Sequence, residues 1–306
     1  MPAPALDVAG LEHWFDQRAH AGSLDEYLRG FALTVAAMAS PQALRRVAAE
    51  SAEDALLDGA LLAELRIAPL LFEPFGITGD ACVEALLEGL ASCDLPSGLI
   101  VCAMRNHPAD EIARSAELAL RWQGRGVLAF DLAGPEAGWP ATAHRDMLQR
   151  VMDGGLALTL HAGEADSAQR VLEAARLGAR RIGHGVRLAE CIGSPDWADT
   201  LAELRERGTH LEVCPSSNVH TGAAQSIAAH PIRALWQAGV SLSYHTDNRL
   251  ISRTSCSREA ALLMSQAGFT PDDLTQMARL AVRASFLPEA DKACALEKLE
   301  RFQLPR

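Results

Sequence analysis

His161 and Glu164 stand three residues apart in LTLHAGEADS, residues 158 to 167, with an apolar run before them and a Gly turn between them. An imidazole at a strand end is a candidate metal ligand, with a satisfied structural histidine as the commoner alternative. A carboxylate curled over the same strand end can hold a proton for a ring nitrogen or a leaving group, if partial burial raises its pKa. Glu164 also reads as an acid at the N-terminus of the helical stretch that follows, where orphan N–H groups favour a carboxylate. His184, between glycines in RIGHGVRL, can orient a water and stabilise developing charge, or serve structurally. Asp131, in FDLAGPE, can support a neighbouring ligand residue, and the Gly134 N–H can bind a heterocycle nitrogen. Asp247, in SLSYHTDNRL, is with His161 the better candidate for a metal ligand. Strand alternation puts His245 on the same face as Asp247 but roughly 6 to 7 Å deeper, at about 3.3 Å per residue. A core or supporting role is therefore expected of His245.

These residues fall at the ends of short apolar runs. Strands are expected at 61 to 69, 98 to 105, 126 to 134, 156 to 163, 180 to 185, 209 to 217 and 240 to 248, each closed by Gly, Pro, Asn or Ser. Helical stretches lie between them at 108 to 123, 142 to 153, 167 to 178, 194 to 207 and 225 to 238. Thr270, Pro271 and Asp273 mark a further helix start. The alternation predicts a parallel sheet with right-handed crossovers. Arg66, Arg105, Asp131, His161, His184 and Asp247 sit at six different strand ends, with Ser216 and Ser217 just past another. A barrel collects residues from many strand ends on one face, whereas an open doubly wound sheet gathers them at one crossover, so a barrel is expected. Seven strands are readable and a standard barrel has eight.

A chain of 306 residues without a linker-like run is read as one domain over 1–306. A formal net charge of -11 argues against a broad nucleic-acid or anionic-membrane surface. The seven cysteines are scattered, as reduced thiols in a cytoplasmic protein would be. No signal peptide or membrane span is legible, and no GxSxG elbow, GxGxxG or GxxxxGK[ST] occurs. Oligomeric state is not readable.

In their order and intervals, HAGE at 161 to 164, RIGHG at 181 to 185, LEVCPSSN at 211 to 218 and HTDN at 245 to 248 resemble the adenosine deaminase family. FDLAGPE and SFLP at 285 to 288 support the match, and TDNRLIS looks like the bacterial branch. The resemblance implies a TIM-type (β/α)8 barrel holding one Zn2+. In it, zinc-activated water attacks C6 of adenosine or 2'-deoxyadenosine, to give inosine or its 2'-deoxy form and ammonia. It further implies His161 and Asp247 as zinc ligands and Glu164 as the acid toward purine N1. His184 would position the water, and Gly134 and Asn248 would contact N3 and N7. Asn248 can fill that place if its amide donates to N7.

Family members also carry a His-x-His pair on the first barrel strand, and no such motif occurs here. The barrel is therefore expected to lack its first strand and helix in this chain. His13 and His20 are the only N-terminal histidines, and their spacing does not suit a strand presenting two imidazoles to one metal. Three expectations compete: a start downstream of the true one, a noncatalytic purine-binding or regulatory homologue, and a strand supplied by a second chain. Adenine or another aminopurine is the alternative substrate. An open barrel edge is expected to make the 306-residue chain unstable or aggregation-prone unless it is covered.

Overall fold

Seven short strands, all parallel and in sequence order, form one curled sheet in the computed structural model, which describes residues 7–20 and 22–301. They are β1 (Ala63–Ile67), β2 (Ser97–Met104), β3 (Val127–Ala133), β4 (Ala157–Ala162), β5 (Arg181–His184), β6 (His210–Val213) and β7 (Leu242–Tyr244). Each strand pairs only with its sequence neighbours, so β1 and β7 are the two edges. Helices cover the outer face: Gly79–Leu90, Ala109–Trp122, Arg145–Asp153, Ala168–Arg176, Trp197–Glu206, Ile232–Gln237 and Pro271–Ala284. This is the TIM-type barrel with seven of its eight strands among the described residues. Among the same residues, no helix is long and apolar enough to cross a membrane, and all seven cysteines are free.

Two segments depart from expectation at prolines. The strand expected at 209 to 217 ends at Val213, because Pro215 lacks an N–H for the ladder and instead opens the helix Pro215–His220. The helix expected from 225 begins only at Ile232, since Pro231 disfavours helical backbone at His230. At Thr270 the expected start is present as a full capping box with Asp273.

Close packing outside the sheet rests on Gly89, where a Cβ would lie 2.2 Å from the Arg45 carbonyl oxygen. Only glycine lets Gly79–Leu90 approach Pro41–Leu57 this closely.

Inside the curl the residues are unusually polar. The period-two pattern turns Glu64 and Arg66, Thr159 and His161, Arg181, His210 and Glu212, and Ser243 to the interior. Arg181 bridges Glu64 at 2.5 Å and Glu212 at 2.7 Å. Arg66 reaches Glu212 at 2.8 Å and Asp131 at 3.1 Å. Glu64 also accepts from Ser285 Oγ and the Phe286 N–H, both at 2.7 Å, which ties the SFLP segment to the sheet. One chain of ion pairs thus runs from Glu64, hydrogen-bonded to SFLP, to Asp131.

Candidate functional site

Asp131 ends that chain and begins the site. Its Oδ2 accepts from His161 Nδ1 at 2.8 Å and its Oδ1 from the His161 backbone N–H at 3.1 Å. Burial alone would raise this carboxyl, but His161, Arg66 and Arg105 outweigh it and hold it below the usual range. An ionised carboxylate only accepts, so His161 donates to it from Nδ1, and Nε2 is the ring nitrogen turned away from Asp131. Arg105, fully buried, donates at 2.6 Å to the carbonyls of both Leu132 and His161 and binds the ends of β3 and β4 together.

The turn after β4 is built by Glu136. This buried carboxylate accepts the backbone N–H groups of Gly163, Glu164 (2.9 Å), Ala165 (2.8 Å) and Asp166 (3.1 Å). Gly163 makes the turn possible: its φ is +71°, and a Cβ there would meet Val171 Cγ2 at 2.4 Å. The helical stretch starts only at Ala168, so Glu164 lies outside its first turn, and the reading of Glu164 as a helix N-terminal acid is corrected. Its side chain turns inward instead. Oε1 accepts from Thr221 Oγ1 at 2.7 Å and Asn218 Nδ2 at 3.1 Å, and Oε2 lies 3.4 Å from His184 Nε2. The His184 ring packs 5.2 Å from that of His161.

His184 and Asp247 are two of three non-glycine residues with left-handed backbone among the described residues, at φ 64° and 53°. Such backbone is costly for a side-chain-bearing residue and persists where surroundings enforce it, often at functional sites. Asp247 is held by Ser217 Oγ at 2.7 Å. Asn248 caps the short helix Arg249–Ser252, its Oδ1 accepting from the Ile251 N–H at 2.8 Å, which leaves its amide Nδ2 as a donor. Gly134 adopts φ +92° beside Met104 and Asn106. His245 bonds Ser243 Oγ through Nε2 at 2.7 Å, within the interior polar layer.

Several site residues were not singled out from sequence. Glu136, Asn218 and Thr221 lie inside or beside quoted motifs, yet only folding shows which atoms they hold. Tyr27, wholly buried, bonds Ser252 at 2.8 Å, and burial and then Asp247 push its phenol up. This places the N-terminal helices over the Asp247 side of the strand mouth.

A zinc site needs three or four converging ligands. Among the described residues, no group of three or more His, Cys, Asp or Glu side chains is placed to hold a metal ion. His13 pairs with Gln17, while His20 bonds the Asp16 carbonyl and packs against His220. Neither completes a set with His161 and Asp247, so the described residues do not by themselves fit a resident zinc.

The family model described as adenosine deaminase matches residues 1–302. An adenosine deaminase of Mycobacterium ulcerans is 40% identical over 299 residues, 93% of this chain and 82% of that protein. The solved adenine deaminase of Arthrobacter aurescens superposes with a TM-score of 0.84 at 25% identity, over 98% of this chain and 90% of its own. Arabidopsis ADAL, solved in complex with IMP, shares the fold with a TM-score of 0.83 at 24% identity, over 97% and 87% of the two chains. With the match running through HAGE, RIGHG and HTDN alike, this chain belongs to the adenosine deaminase family.

Proposed function

We propose that this chain, on its own, is a purine-binding member of the adenosine deaminase family that holds its ligand without hydrolysing it. One observation supports the reading: Glu164 and His184 are braced together by buried partners, whereas His161 and Asp247 stand without a third ligand among the described residues. In this reading Glu164 meets the N1 edge of the purine, the Gly134 N–H donates to N3, and Asn248 Nδ2 donates to N7. His161, oriented by Asp131, and Asp247, oriented by Ser217, line the opposite wall. The ligand is a purine nucleoside or base.

The second reading is zinc-dependent hydrolytic deamination of adenosine, or of adenine or another aminopurine, once further ligands join the pair. The orientation of His161 favours it, since its Nε2, turned away from Asp131, suits a metal. Zinc per folded chain after dialysis, calorimetric titration with inosine and adenosine in chelator, and ammonia release separate the two. Saturable purine binding with neither zinc nor ammonia is expected. Stoichiometric zinc with ammonia release from adenosine would replace the first reading by the second, and no purine binding with or without zinc would defeat both.

A further inference from the structure

Behind Glu164 and His184 lies a buried chain of polar groups that contains no candidate ligand. Asn218 is 0% exposed and His230, at the foot of the helix Ile232–Gln237, is 4% exposed. The Ile232 backbone N–H lies 3.0 Å from His230 Nδ1. A backbone N–H can only donate, so His230 Nδ1 is bare and the ring proton is on Nε2. Burial pushes the His230 imidazole down to about 3, so it is neutral. His230 Nε2 in turn lies 3.3 Å from Asn218 Oδ1, which must accept. That orients the Asn218 amide. Its Nδ2 has two hydrogens and two acceptors within reach, Glu164 Oε1 at 3.1 Å and His184 Nδ1 at 3.0 Å.

The direction of the chain is therefore fixed at both ends, by an amide that only donates and a carboxylate that only accepts. His184 Nδ1 is an acceptor, so neutral His184 carries its proton on Nε2, 3.4 Å from Glu164 Oε2. We propose that His230 is a positioning residue that acts through Asn218 to hold His184 as the Nε2–H tautomer. Glu164 and His184 then present an acceptor beside a donor. That pair matches the N1–H and O6 edge of a 6-oxopurine, and mismatches a 6-aminopurine, whose N1 accepts and whose N6 donates.

The consequence for ligand choice rests on the proposed purine site; the tautomer does not. Ring 15N–1H correlation spectra of histidine-labelled protein, with His184 assigned by its loss in His184→Gln, read the tautomer without any ligand. The Nε2–H form is expected in the native protein. In His230→Phe, with the donor to Asn218 removed, the minor Nδ1–H form should gain about fivefold, the worth of one ordinary hydrogen bond. The preference for inosine over adenosine should fall by a similar factor. His230→Gln, which can still donate to Asn218, should restore both. An Nδ1–H tautomer in the native protein overturns the inference even if every variant misfolds, and so does a folded His230→Phe with unchanged spectra. Loss of all purine binding with the Nε2–H tautomer present would count against the proposed function alone.

Discussion

Replacing Glu136 with Gln tests whether one carboxylate builds the turn that presents Glu164. Its Oε2 accepts from the N–H groups of Glu164, Ala165 and Asp166, and its Oε1 from Gly163. Gln is nearly the same size, so packing is kept and the effect is electrostatic. The least costly pose puts the amide oxygen where Oε2 was and turns the NH2 toward the Gly163 N–H, donor against donor. That leaves a buried donor without a partner, costing about 1–3 kcal/mol. The three surviving bonds pass from charge-assisted to neutral, each weaker by about 1 kcal/mol. Because they share one oxygen they do not add fully, and a loss of about 3–5 kcal/mol is expected. With a urea slope of about 2–3 kcal/mol/M, the midpoint should fall by about 1–2.5 M. The assay is urea unfolding followed by Trp fluorescence, with inosine binding measured in parallel. A midpoint within roughly 0.2 M of native at unchanged slope would refute the reasoning.

Gly163→Ala should lose about 1–2 kcal/mol to left-handed backbone and more to the contact with Val171, and a native unfolding midpoint would show the turn to be adaptable. Arg66→Met removes the cation between buried Asp131 and Glu212 and should cost about 3–5 kcal/mol; a cost under about 1 kcal/mol would mean the two carboxylates take up protons instead. Acid sensitivity should begin early. His210 and His230 are pushed down to about 3, chiefly by burial. The unfolded chain protonates both near pH 6.5 and the folded chain refuses the protons, so this stability is whole above about pH 6.5 and is lost as pH falls toward 3. Between pH 7 and 5 each histidine should account for about 2 kcal/mol, and an unfolding free energy that stays flat over that range would contradict it.

All seven strands were legible because parallel strands buried on both faces read as short apolar runs with turn residues after them. The placement of His161, His184 and Asp247 at strand ends was legible for a related reason, since polar groups closing apolar runs stand out. What stayed hidden were pairings across the sheet. In E-L-R at 64 to 66 and H-L-E at 210 to 212 the polar residues alternate with leucine, the usual mark of a strand with one wet face. Here the polar face is the barrel interior, because Arg66, Arg181, Glu64, Glu212 and Asp131 neutralise one another. Nothing along the sequence says that residues 117 apart, Glu64 and Arg181, meet. Glu136 was hidden likewise: its partners are backbone N–H groups, which carry no sequence signal.

The two halves of the site differ in what they depend on. Glu164 is held by Glu136, Asn218, Thr221 and His184, all on segments between β3 and β7 and away from the sheet edges. Asp247 follows β7, an edge strand, and is steadied by Ser217 and covered by Tyr27 through Ser252. Disturbance at the β7 edge therefore reaches Asp247 first, while Glu164 and His184 keep their own support. Backbone amide exchange near Asn218 should accordingly be slower than near Asp247. The reverse order would place the weak point of the fold under the Glu164–His184 pair and remove the ground for treating the halves separately.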